Sequence, residues 1–154
     1  MTSNKLDLPE GAYAPVTAHH VVRVGDICHG VGLPDQEDWR FYDTDDLPER
    51  FLVLVEILYV LVVSVYREYA VVAPIMTADV AADRDQFAAL VDSGRNTSRW
   101  MRLPPLATAW RQDAVALLFM PQTLVEDALV DKRLAAMHPA ASNIVSRRFA
   151  RAFQ

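Results

Sequence analysis

The sequence predicts a mainly α-helical protein, a compact bundle of about five to six helices around a central apolar helix at residues 47–73. Three observations support this fold class. Residues 51–66 are apolar on all sides, as expected for a helix that other helices surround. No Gly, Asn or Pro interrupts this run at strand length, and prolines elsewhere divide the chain into segments of helical length. With 154 residues, 52% of them hydrophobic, the chain fits one helical domain spanning 1–154.

The first 46 residues give the weakest pattern and are predicted to be irregular or to contain a short hairpin. The segment after Thr17 fits a helix, which we favour, or a short strand that turns at Gly25 and Asp26. Residues 35–46 follow a Gly- and Pro-containing stretch and combine acidic with aromatic side chains. We interpret them as a surface loop that its aromatic residues hold against the core.

The central helix is predicted to begin after Asp46, a good N-cap residue, with Glu49 at the third helical position. A membrane span needs about 20 apolar residues, whereas this run has sixteen and contains Glu56. Its upstream flank is acidic, although a membrane anchor usually carries Lys or Arg on its cytoplasmic side. We therefore expect a core helix and no membrane contact. Glu56 is expected to pair with a basic group from elsewhere in the fold, with a functional role as the alternative.

Four further helices are predicted after the central one. The first covers 78–93, with Thr77 as its cap and Gly94 as its stop, and it is amphipathic. The others run from 105 to 120, from 121 to 137 and from 140 to 153. Each begins at or next to a proline, which is tolerated in the first turn of a helix.

The charge is distributed unevenly along the chain. The net charge is −5, but residues 1–94 hold 16 acidic and 6 basic residues, whereas residues 95–154 hold 4 acidic and 9 basic ones. Such polarity predicts interaction surfaces, unless the two halves fold together and neutralise each other. The partner-binding residues predicted on this basis are Trp39, Phe41, Tyr42, Asp43, Asp45, Arg147, Arg148 and Arg151.

A group of possible metal ligands lies near the N-terminus. It consists of His19, His20, Cys28 and His29. A closed zinc site needs four converging ligands, so these residues would have to fold back at Gly25. Ordinary packing of the histidines around a buried free cysteine is the simpler interpretation, and we predict no metal and no cofactor.

A basic segment at 90–102 is similar to the turn and recognition helix of a helix-turn-helix. Its glycine at 94 would lie in the turn, and Arg95, Arg99 and Arg102 would contact nucleic acid. The alternative is a basic loop with Trp100 packed inward.

Arg133 and His138 form an R-x-x-x-x-H pair near the C-terminus. The pair resembles the motif of HEPN-domain ribonucleases. This resemblance implies metal-independent RNA cleavage, with His138 as acid/base and Arg133 holding the phosphate. The residue after the arginine is Leu134, where that family usually has a polar one. The alternative is a solvated arginine and a histidine at a helix end.

Taken together, these patterns predict a small regulatory protein that acts by binding a macromolecular partner, most directly another protein, and that is not an enzyme. Self-association is a further expectation. A nucleic-acid-binding regulator that uses the basic C-terminal half and a HEPN-like ribonuclease are the alternatives. The polar N-terminus and the single cysteine predict a cytoplasmic location.

Overall fold

A computed structural model describes residues 7–16, 21–30, 58–78, 84–92, 99–107, 109–118 and 121–152 of the chain. Within them the protein is mostly antiparallel β-sheet, a half-barrel of eight strands with three short helices, so the predicted all-α bundle is wrong. The elements are β1 (Tyr13–Ala14), β2 (Ile27–His29), β3 (Tyr59–Val65), β4 (Tyr69–Met76), α1 (Arg84–Asp92), β5 (Trp100–Leu103), β6 (Ala114–Leu117), β7 (Gln122–Val125), α2 (Asp127–Val130), β8 (Arg133–Met137) and α3 (Pro139–Arg151).

The strands follow the order β1-β8-β2-β3-β4-β6-β5 across the sheet. Strand β7 lies outside this path and pairs with the first half of β4, while β6 pairs with its end. The last strand, β8, therefore lies between the first two, and it pairs antiparallel with both.

Strands β3 and β4 form the central hairpin, and they replace the predicted helix at 47–73 over the described residues 58–73. Side chains of β3 alternate between two buried clusters, with Val60 and Val62 in one and Leu61 and Val63 in the other. Because both faces of this strand are buried, its sequence is apolar throughout and lacks the alternation of a half-exposed strand. The same pattern is also expected of a buried helix, which explains the wrong assignment. Residues 47–57, including Glu56, lie outside the described residues.

A proline in β4 stands where the pairing of this strand changes partner. Val72 is opposite Gln122 of β7, and Ile75 is opposite Ala116 of β6. Pro74 lies between these two positions, where β4 changes its partner from β7 to β6. Its lack of an N–H therefore costs no hydrogen bond of either ladder.

Helices cover parts of both faces of the sheet. Phe87 of α1 and Leu129 of α2 belong to the cluster that contains Val60 and Val62. Ala141 and Val145 of α3 pack into the opposite cluster. The sheet thus has a hydrophobic core on each side.

Two predicted helices are confirmed in the described residues, and two are wrong. The helix predicted at 78–93 is present as α1, and the one predicted at 140–153 is present as α3. The region 105–120 contains an isolated bridge and β6 instead of a helix, and 121–137 contains β7, the four-residue α2 and β8. Near the N-terminus, the favoured helix after Thr17 is wrong over the described residues 21–30, and the alternative is found there instead: a turn precedes β2, where Gly25 has a φ of 96° and Asp26 N donates to Arg23 O at 3.1 Å.

Side chains connect β1 and β5, the strands at the two ends of the half-barrel. We call this region of contact the seam. The hydroxyl of Tyr13 in β1 donates to the carbonyl of Pro104, just after β5, at 2.7 Å. The N–H of Arg102 in β5 donates to the Asp7 carboxylate at 2.6 Å. Arg148 of α3 forms an ion pair with Asp7 and donates to Trp100 O at 2.5 Å. Polar side chains therefore satisfy main-chain groups at this edge of β5.

None of the helices found in the described part of the chain is both long enough and apolar enough to cross a membrane.

Candidate functional site

The most exposed apolar group in the described residues lies at the turn between β3 and β4 and on the neighbouring β7. It consists of Tyr66, Tyr69 and Val125, and we call it the hairpin patch. These residues are 49%, 41% and 62% exposed. The two tyrosine rings stack, with their centroids 4.9 Å apart and an interplanar angle of 24°. A stacked aromatic pair in water beside an exposed valine is a typical contact surface for another molecule.

The turn geometry brings the three side chains together. Tyr66 N donates to Tyr69 O at 2.8 Å, which closes the hairpin, and Tyr69 is directly opposite Val125 in the β4–β7 ladder. Opposite residues of antiparallel strands point to the same face of a sheet. Val71 and Ala73, two and four residues further along β4, belong to the core cluster that α3 covers. The hairpin patch therefore continues a core face of the sheet into solvent.

The outer edge of β7 adds main-chain groups beside the patch. Glu126 N donates to Glu68 O at 3.3 Å, and hydrogen-bonded pairs alternate along an antiparallel ladder. The N–H and C=O groups of Thr123 and Val125 therefore point away from β4. Among the strands that the structure describes, β7 pairs with β4 alone. Within the described part of the chain, this edge is therefore open to an added strand.

The charged residues around the patch are mainly acidic. Glu68 is in the turn, and Glu126 and Asp127 follow Val125 directly, whereas Arg67 is the one basic residue of the turn. Glu126 also accepts a hydrogen bond from Val22 N at 3.3 Å, which fixes its side chain. The surface at this end of the sheet is therefore apolar in its centre and acidic at its rim.

The predicted partner-binding residues fall into three groups. Trp39, Phe41, Tyr42, Asp43 and Asp45 lie outside the described residues. Arg147 and Arg151 are exposed on α3, as expected for a contact surface.

Arg148, by contrast, has a side chain that is 11% exposed and pairs with Asp7, so it contributes to the seam and not to an exposed basic surface.

The predicted nucleic-acid segment is not a recognition helix where the structure describes it. Arg99 is in a turn and Arg102 is in β5, while Arg95 lies outside the described residues. The Nε of Arg102 donates to Asp113 at 2.7 Å within an ion pair. Trp100 is 5% exposed, which confirms the alternative that this residue packs inward.

The described part of the possible metal cluster does not converge. Cys28 is fully buried and His29 is exposed, and as neighbours on β2 they point to opposite faces. Burial raises the pKa of the Cys28 thiol to about 12, with a further contribution from Asp26, so the thiol is protonated and unreactive at neutral pH. No group of three potential ligands occurs in the described residues. His19 and His20 lie outside them.

Arg133 and His138 are separated by an extended strand, not carried on a helix. Five residues of β-strand span roughly 17 Å. The Arg133 Nε donates to Val130 O at 3.0 Å and its Nη1 to Val21 O at 2.9 Å, while His138 is an exposed residue that precedes α3. The helical placement on which the HEPN resemblance depends is thus replaced by β8.

Sequence reasoning missed the hairpin patch. Its signal was the Tyr-Arg-Glu-Tyr stretch at 66–69, where two charged residues interrupt the apolar run. This stretch was interpreted as the interior of a helix because it contains no turn-forming Gly, Pro or Asn.

Comparisons with known proteins give no relative from which a function could be inferred: no family model matches the chain, and no curated protein is significantly similar to it.

Proposed function

We propose that this protein acts by binding a protein partner through the hairpin patch. The observation that carries the proposal is the stacked, half-exposed pair of Tyr66 and Tyr69 next to Val125, the most exposed of the large hydrophobic residues found. Tyrosine is enriched among the residues that dominate binding energy at protein interfaces, because it combines a large apolar ring with a polar hydroxyl. A regulatory role through this contact is part of the proposal.

The acidic charge around the hairpin patch favours a partner protein that places an apolar residue on the patch and basic residues around this contact. Glu68, Glu126 and Asp127 outnumber Arg67, and an acidic rim repels the phosphates of nucleic acids. Two of the arginines predicted to bind nucleic acid or a partner, Arg102 and Arg148, form ion pairs inside the fold.

The open edge of β7 supports a specific mode of binding. The outward groups of Thr123 and Val125 could form main-chain hydrogen bonds with an extended segment of the partner, while the tyrosines contact its side chains. A cytoplasmic location belongs to the same proposal, and the buried free thiol of Cys28 is compatible with a reducing compartment.

The test begins with a photo-crosslinking amino acid at position 125, which captures whatever contacts the patch in the cell and allows the partner to be purified. The dissociation constant is then measured for the parent protein and for a Tyr66→Ser, Tyr69→Ser double variant. We expect the double variant to bind at least roughly tenfold more weakly.

Val21→Ser is the matched control, since Val21 is a 44% exposed apolar residue outside the patch. If the purified partner binds the folded double variant as tightly as the parent protein, the proposal is wrong. A crosslink between two copies of this chain would identify self-association as the interaction.

The alternative of nucleic-acid binding is favoured by one observation, the exposure of Arg147 and Arg151 one helical turn apart on α3. Binding of RNA or DNA that is lost when both are replaced by Gln would support it. In the described residues nothing favours the HEPN-like ribonuclease alternative, since Arg133 begins the extended strand β8 and His138 follows its end.

A further inference from the structure

A cavity of about 380 Å³ lies where β1, the turn before β2, and β8 meet the first turn of α3. It shares no residue with the hairpin patch. Its walls are largely apolar, with Ala14, Val24, Ala136 and Met137 among the lining residues. Its size is within the range of small-molecule sites.

Polar and charged groups converge on this cavity from separate elements. Arg23 and Asp26 come from the turn before β2, Arg133 from β8, and Ser142 and Asn143 from α3. The bonds from Arg133 to the carbonyls of Val130 and Val21 fix the orientation of its guanidinium group. Among the described lining residues, two arginines and one carboxylate leave an excess of positive charge.

The carboxylate of this group is inside the protein. Asp26 is 3% exposed and accepts a hydrogen bond from Arg23 N at 2.9 Å. Burial raises the pKa of Asp26, which favours its neutral form, although the Arg23 N–H bond and the charges of Arg133 and Arg23 act in the opposite direction.

The walls of the cavity are held together by close contacts. Ser142 Oγ donates to Val24 O at 2.8 Å, and a Cβ on Gly25 would lie 3.0 Å from Ser142 Oγ and 3.1 Å from Met137 Cβ. Gly25 N also donates to Val62 O at 2.8 Å. The turn at 23–26 is thus fixed both to α3 and to the sheet, so the cavity is formed before a ligand enters, which lowers the entropic cost of binding.

We propose that this cavity binds a small molecule that carries an oxyanion, with Arg23 contacting its carboxylate or phosphate group, Arg133 adding positive charge, and the apolar wall around Ala136 contacting its body. Arginine is suited to both groups because its planar donors match two oxygens at once. The cavity that Phe87 of α1 lines, of about 490 Å³, is a weaker candidate, since its one described carboxylate, Asp113, already pairs with Arg102.

The test uses three probes with the same ring and different head groups: phenyl phosphate, benzoate and neutral benzamide. Each is titrated into the full-length protein while the amide NMR signals of Val24, Ser142 and Asn143 are followed. We expect saturable shifts with at least one of the two anions and binding at least roughly tenfold weaker with benzamide. The ratio of the dissociation constants of phenyl phosphate and benzoate shows which oxyanion the cavity prefers.

Three substitutions locate the binding. Arg23→Gln should weaken the binding of the preferred anion by roughly tenfold. Ala136→Leu should weaken it to the same extent, because the larger side chain fills the cavity without any change of charge. Arg147→Gln is the control, because it removes an exposed positive charge from the same helix as Ser142 and should change the dissociation constant less than about twofold.

The proposal is overturned if no anion gives saturable shifts up to about 10 mM, a concentration that detects even very weak binding. It is equally overturned if benzamide binds as well as the anions, or if Arg23→Gln retains the affinity of the parent protein. Arg23 is exposed in a turn, so this variant is expected to fold and to give a clear result.

Discussion

Asp26 is an acidic residue in the interior of the protein, in an environment that differs strongly from water. It is nearly fully buried, and its hydrogen bond comes from the main-chain N–H of Arg23. Loss of hydration raises its pKa, so the charged form is less favourable in the folded protein than in the unfolded chain. The folded state therefore gains stability from Asp26 only when this residue is protonated.

We predict that Asp26→Asn stabilises the protein at neutral pH. The amide carbonyl can still accept the hydrogen bond from Arg23 N, while the cost of burying a charge disappears. A raised folded-state pKa contributes stability that is present below the unfolded pKa and lost as the pH rises through the folded value. The advantage of the variant should therefore grow from pH 3 upwards and vanish at about pH 3, where Asp26 itself is neutral.

Urea unfolding across this pH range measures the difference. Glu10→Gln makes the same chemical change at an exposed position, and its effect on stability should stay within about 0.5 kcal/mol at every pH. If the Asp26→Asn protein is less stable than the parent at neutral pH, the attraction of Asp26 to Arg23 and Arg133 stabilises the charged carboxylate by more than burial destabilises it.

At the scale of elements, helix α3 illustrates why neighbouring arginines have different roles. Arg147 donates to Asn143 O within its own helix at 3.4 Å and remains exposed. Arg148 points to the sheet and contacts Asp7 and Trp100 O. One residue of helix rotates a side chain by about 100°, so the predicted basic surface of α3 loses its middle arginine to the seam.

We predict that Arg148→Ala costs about 3 to 5 kcal/mol of unfolding free energy, because it leaves the buried carboxylate of Asp7 without its charged partner. Arg147→Ala should cost about 0.5 kcal/mol or less, as usual for exposed positions. Chemical denaturation of both variants gives the comparison. Equal effects of the two substitutions would contradict the inward placement of Arg148.

The elements that could be predicted from the sequence are those with local signals. Helix α3 begins at Pro139 and carries basic residues in its last turn, and α1 has the spacing of an amphipathic helix. Strand β3 could not be assigned, because burial on both faces removes the period of two that distinguishes a strand from a buried helix. The turn at 66–69 has no Gly, Pro or Asn, so its one signal was the pair of charged residues that interrupts the apolar run.

The candidate sites were unpredictable for a different reason. Tyr69 and Val125 are 56 residues apart in sequence, and only the β4–β7 pairing brings them together. Likewise Arg23 and Arg133 meet at one cavity because β8 lies beside β2. Such contacts depend on strand order, which a single sequence does not reveal when the strands themselves are misassigned.

At the scale of the whole molecule, the uneven charge along the chain is partly resolved by folding. Asp7 from the acidic half and Arg148 from the basic half form an ion pair across the seam. This ion pair agrees with the alternative in which the two halves fold together and neutralise each other. Arg102 and Asp113 neutralise each other within the basic half. The polarity of the sequence is therefore an incomplete guide to the charge of the folded surface.

The sheet order also predicts how stability is distributed. Val62 in β3 donates to Asp26 O at 2.9 Å in the interior of the sheet, whereas β1 is a two-residue strand at its end. Amide hydrogen exchange followed by NMR should be slowest in β3 and β4 and clearly faster in β1, because end strands open without disrupting the core. Exchange of Ala14 as slow as that of Val62 would show that the seam locks β1 as firmly as a full ladder would.

The insertion of β8 between β1 and β2 has a consequence for the newly made chain. A ribosome releases β1 more than 100 residues before β8, so the strand that Tyr13 and Ala14 will pair with does not yet exist. Until residues 133–137 emerge, the edge of β2 that pairs with β8 is also unpaired. Unpaired edges can form contacts with other nascent chains. Completion of this fold therefore waits until β8 has left the ribosome, and in the cell it falls within the period when chaperones act.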